Sequence, residues 1–95
     1  MAERPLALPP AQDRERDMSD LFQSNVRTMQ LLHLEQAERH VAEGERHIAE
    51  QEERIADLAR LGHDPVEAKI LLENFYASQV LHIQHRDRIR RELER

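Results

Sequence analysis

Histidines stand seven residues apart at His33, His40 and His47, and two more stand three apart at His82 and His85. Imidazole ligates metal ions and takes up a proton near neutral pH, so any chemistry in this chain would start from these side chains. Residues seven apart on one helix are separated by about 10.5 Å, too far to share an ion. A site therefore needs ligands from a facing helix. His40, Glu43, His82 and His85 form the set that a helical hairpin would bring together. No Glu-x-x-His or His-Glu-x-x-His motif supports it, so no metal site is assigned and the four remain candidates. A pH-responsive flank is the alternative use, since charged imidazoles beside a helical seam would alter interhelical pairing.

The C-terminal run from His85 to Arg95 carries five arginines. Phosphate contact is one reading of such a run. Three acids are interleaved and no aromatic residue adjoins it, so a solvated or ion-paired face is the stronger expectation. A nucleic-acid role through these arginines is kept as an alternative function. No Gly-rich phosphate loop is present, and no Ser/His/Asp arrangement stands out. The chain is read as a non-enzyme with no catalytic residue and no cofactor.

These side chains are held by a repeat. From His33 to Arg60 the chain reads as four uninterrupted heptads, three of which open on histidine. Leu34, Val41, Ile48 and Ile55 take position a, and Ala37, Gly44, Gln51 and Leu58 take position d. Branched residues at a and small ones at d let a partner helix come close. Ala42, Ala49 and Ala56 at position b widen the apolar surface. Glu35–Arg39 and Glu50–Arg54 have the favoured order for surface ion pairs four residues apart. Gly44 is the weak point of the helix, costing about 1 kcal/mol relative to alanine.

Upstream, Pro5, Pro9 and Pro10 fix φ and remove donors, so residues 1–17 are expected to be a disordered tail. Met18-Ser19-Asp20 resembles a protein start, and Ser19 or Asp20 would cap the first helix. That helix is expected over about 19–61. The turn is the strongest local signal. Gly62 suits the left-handed position that closes a helix, Asp64 the N-cap of the next, Pro65 its first position, and Glu67 the reciprocal end of a capping box. A second helix follows over about 65–94. Its expected stripe is Ala68, Leu71, Leu72, Phe75, Ile83, Ile89 and Leu93, interrupted by Gln79, His82 and Arg86. Phe75 and Tyr76 are expected to anchor the core opposite Gln51 and Ile55, with their faces about 100° apart on the helix, so that burial of both requires an oligomer.

The short connection predicts an all-α, antiparallel two-helix coiled-coil hairpin. Helix 2 is the shorter and would cover helix 1 only to about residue 32. Leu21, Phe22, Val26, Met29 and Leu32 are then left without a partner, as are Ile70, Val80 and Leu81 on helix 2. These eight are the candidate partner-binding residues, with a protein partner at 19–32. Pairing of two hairpins into a homodimeric four-helix bundle or an elongated dimer would cover them. The function expected is a self-associating protein–protein interaction module of regulatory or adaptor type.

Composition limits the alternatives. Of 95 residues 35% are charged and only 3% aromatic, which suits long helices meeting along narrow seams rather than a broad core. The absence of cysteine excludes disulfides and zinc–thiolate sites. A net charge of −5 disfavours general binding to nucleic acid or anionic membranes. No apolar run approaches the roughly 20 residues that cross a bilayer. No signal-like segment is read at the N-terminus, so a cytoplasmic protein is expected.

The turn phrase Leu58-Ala-Arg-Leu-Gly-His-Asp-Pro-Val-Glu-Ala68, the Leu71-Leu72-x-x-Phe75 stripe and His82-x-x-His-Arg-Asp-Arg88 resemble short, uncharacterised helical proteins of alphaproteobacteria of the rhizobial kind. The resemblance covers about 18–95. It implies a bacterial, cytoplasmic source and assigns no mechanism.

Overall fold

The computed structural model describes the backbone of residues 11–95 and the side chains from Met18 onward. Two helices make up this span, α1 over Ala11–Arg60 and α2 over Val66–Leu93, packed antiparallel along one seam. The all-α helical hairpin expected from the sequence is the observed architecture.

The reversal between them is built from backbone hydrogen bonds that the glycine makes possible. Gly62 adopts φ 76°, and is the positive-φ position among the described residues. The His63 amide then donates to the Leu58 carbonyl at 2.9 Å and the Gly62 amide to Ala59 at 3.2 Å. This pair of bonds satisfies carbonyls that the end of α1 would otherwise leave open. Asp64 starts α2 by accepting from the Val66 amide at 3.0 Å. Pro65 sits at φ −90°, ψ 8° ahead of the regular helix. The capping box is not closed: among the described residues Glu67 makes no side-chain hydrogen bond, so Asp64 caps alone.

Three expectations are corrected. First, α1 begins at Ala11, not near Ser19. Ser19 and Asp20 are good caps, but no proline or glycine stands between Pro10 and Gly44, and Ala11 to Arg16 are mostly strong helix formers. With no breaker, the helix passes through the capping signal. The expected tail therefore loses residues 11–17 to the helix, and the rest of it lies outside the described residues. Second, α2 reaches further along α1 than residue 32, since Arg27 Nη1 donates to the Leu93 carbonyl at 3.4 Å. Third, the buried stripe of α2 keeps Ala68, Leu72, Phe75, Ile89 and Leu93 as expected, but Leu71 lies outside it and Gln79, His82 and Arg86 belong to it.

The seam of α1 follows the heptads. Ala37, Val41 and Gln51 are buried, with Leu34, Gly44, Ile48, Ile55 and Leu58 half-buried. On α2 the residues facing them are Ala68, Leu72, Phe75, Gln79, His82, Arg86, Ile89 and Leu93, at unbroken intervals of four and three. Gln79, His82 and Arg86 are thus members of the seam, whereas Leu71 is exposed. Helical spacing outranks side-chain type here because a long straight seam holds only one phase.

Two glutamines make that phase specific. Gln51 of α1 donates from Nε2 to the Ala68 carbonyl of α2 at 2.9 Å. Gln79 of α2 donates in the opposite sense, to the Val41 carbonyl of α1 at 2.8 Å. Each helix so presents one buried amide to the backbone of the other.

Candidate interaction surfaces

The seam occupies positions a and d of α1, and this fixes where the other apolar residues point. Met18, Asn25 and Leu32 fall at position f, Leu21 at b, and Phe22 and Met29 at c. These positions lie on the side of α1 away from α2. The seam positions in the same stretch, Asp20, Gln23, Arg27 and Gln30, are all polar. The apolar face therefore changes side near His33. Residues 18–32 are not an uncovered continuation of the seam but a second face of the helix. Phe22 is 69% exposed and Met18 72%. Leu21, Val26, Met29 and Leu32 are exposed as well. The sequence marks these residues as a group, but their side becomes visible only once the seam is known.

Helix α2 has a matching outer face. Val66, Ile70, Val80 and Leu81 are exposed on the side turned from α1, with Leu81 at 66%. Ala42, Ala49 and Ala56 of α1 are exposed too, on the outer flank of the seam. All eight candidate partner-binding residues are exposed. Phe75 and Tyr76 separate. Phe75 is half-buried in the seam beside His47, ring centroids 6.1 Å apart. Tyr76, expected in the core, is exposed and donates its hydroxyl to Glu52 Oε1 at 2.6 Å. One step along a helix turns a side chain by about 100°, so two adjacent aromatics cannot both enter a narrow seam. That hydrogen bond, with slight burial and the Glu52 charge behind it, holds the phenol above its usual range.

Of the four candidate ligands, His40 and His82 meet across the seam with ring centroids 5.5 Å apart, tilted by 54°. Glu43 lines the same open cleft of about 320 Å³, together with Gly44, His47, Phe75, Ser78 and Gln79. His85 lies on the neighbouring cleft with His33 and His40. Among the described residues no group of three or more His, Cys, Asp or Glu side chains converges as a metal site.

The arginine run is partly engaged. Arg90 pairs with Glu38 across the hairpin at 3.2 Å and Arg86 with its neighbour Asp87 at 3.1 Å. On α1, Glu50 pairs back to Arg46 at 3.8 Å rather than forward to Arg54. Both partners there are well exposed, so this pair adds little to stability.

The fold and its surfaces define an all-α helical hairpin with apolar outer faces. No family model matches the chain. No curated protein and no solved structure matches it either. No described helix is long and apolar enough to cross a membrane.

Proposed function

We propose that this chain is a non-enzymatic protein–protein interaction module of adaptor or regulatory type, which also self-associates. The observation that carries the reading is the placement of its large apolar side chains. Ala37, Val41 and Ile89 are the buried apolar residues among those described, whereas Phe22, Leu81 and a dozen other large hydrophobics are exposed. Apolar side chains grouped on one helix face and left in water mark a docking surface. Here they form two groups, on the outer sides of α1 and α2. An adaptor that holds two protein surfaces at once needs two such faces, and pairing of hairpins into a four-helix bundle or elongated dimer would cover at least one. A bacterial cytoplasmic setting goes with this reading, and the cysteine-free composition agrees with it.

Affinity capture with the intact chain and with the Ile70→Glu/Leu81→Glu double variant tests it. A partner retained by the first and lost by the second places a docking site on α2. Capture of the same set by both variants, with none lost on removing residues 19–32, overturns the proposal.

A second reading, a pH-responsive interaction module, is favoured by the contact of His40 with His82 at 5.5 Å. Protonation of both rings would set two positive charges against each other across the seam.

A further inference from the structure

We infer that the outer face of residues 18–32 binds the same face of a second copy, antiparallel, with the two-fold axis at Asn25. This gives a location and a geometry to the self-association proposed above and rests on that part of it.

The spacing is the first argument. Met18, Leu21, Asn25, Met29 and Leu32 stand at −7, −4, 0, +4 and +7 from Asn25. A two-fold antiparallel contact brings each residue opposite its mirror position in the partner. Leu21 then meets Met29, Met18 meets Leu32, and Asn25 meets Asn25. The bulky Phe22 meets Thr28, a small residue that leaves room for the ring.

Polarity is the second argument. Asp20 and Arg27 are the charged residues of this stretch, and both take position a, on the α2 side. The outer face buries no charge when it docks. Nucleic acid or an anionic bilayer would find no basic residue on it. Its one carboxamide sits at the midpoint, where two Asn25 side chains can donate to and accept from each other. A single buried asparagine pair of this kind fixes register in helical assemblies. An apolar heteromeric partner would leave the amide buried and unpaired, which disfavours it.

Length and area set the strength. Beyond Leu32 the outer positions become Glu35, Gln36 and Arg39, so the face ends after about 21 Å of helix. Covering all five exposed side chains completely would bury at most on the order of 1,200 Å² over both copies, the lower edge of specific interfaces. A dimer that dissociates at about micromolar concentration or above is expected. The two hairpins point in opposite directions from the axis, so the assembly is an extended rod and not a side-by-side bundle.

The chain has no cysteine, so one introduced thiol reports one position. Full-length Asn25→Cys, mildly oxidised at a concentration where the parent chain dimerises, is expected to form a covalent dimer. Ile70→Cys on the outer face of α2 is expected to remain uncrosslinked. Leu21→Glu, which places a carboxylate opposite Met29, is expected to sediment as a monomer with unchanged helix content. The inference falls if the parent chain is monomeric up to millimolar concentration, if Leu21→Glu still dimerises, or if Ile70→Cys crosslinks and Asn25→Cys does not. A monomeric parent would leave the docking role of α2 intact, because the capture experiment reads that face independently.

Discussion

The side-chain amide of Gln79 lies in the space that a Cβ on Gly44 would fill. The glycine is a notch in α1, and the glutamine is the knob that enters it from α2. Gln79 is 7% exposed, and its Nε2 reaches the Val41 carbonyl one turn along α1. Its Oε1 is buried without a hydrogen-bond partner. The residue that looks like the weakest point of the long helix is therefore the point that fixes the register of the hairpin.

Gly44→Ala tests this through its sign. Helix propensity alone favours alanine by about 1 kcal/mol. Displacing the Gln79 amide loses a buried hydrogen bond and forces repacking, together costing about 2 kcal/mol. Urea unfolding should show Gly44→Ala to be net destabilising by about 1 kcal/mol. In a Gln79→Ala background the same substitution should stabilise by about 1 kcal/mol, because only propensity remains. The same sign in both backgrounds would show that the notch does not matter.

Gly62 is a glycine for a different reason. Nothing lies within 4 Å of a Cβ built there, so space is free, but φ is +76°. An alanine in that conformation costs about 1–2 kcal/mol. Gly62→Ala should lower the urea midpoint accordingly, and Gly62→Asn should lower it less, since asparagine tolerates the left-handed region. Equal losses would point to a cause other than backbone conformation.

These two glycines show what the sequence could and could not reveal. Gly62 is legible because its whole environment is local: Leu58 and Ala59 before it, Asp64 and Pro65 after it. Gly44 is not, because its meaning depends on Gln79, 35 positions away. The seam of α1 is legible because nearly all of its members are apolar. That of α2 is obscured because Gln79, His82 and Arg86 are seam residues of the wrong type, while Leu71 is an apolar residue of the wrong phase. The start of α1 is missed because a capping signal at Ser19 and Asp20 has no breaker beside it. The apolar residues at 18–32 can be listed from spacing alone, but the side of the helix they occupy needs the position of α2.

Tyr76 is the single tyrosine, so its ultraviolet titration is unambiguous. Its phenol is held above the usual 10.0, first by the hydrogen bond to Glu52, then by burial and the Glu52 charge. The folded value is the raised one. The stabilising contribution is therefore present below the ordinary tyrosine value and lost as pH rises through the folded one. Glu52→Gln removes the charge and weakens the acceptor, so the titration should move down toward 10.0. An unchanged titration curve would show that the Glu52 contact does not persist in solution.

The two histidines that meet across the seam carry the last test. His40 and His82 face each other with ring centroids 5.5 Å apart, and Glu43 is the carboxylate that lines their cleft. Both rings are half-buried, so truncating either removes a packing contact between the helices. His82→Ala should destabilise the hairpin to urea by about 1 kcal/mol, whereas His63→Ala at the exposed turn should stay within about 0.5 kcal/mol of the parent. If the two variants unfold alike, the His40–His82 contact contributes nothing to the pairing of the helices.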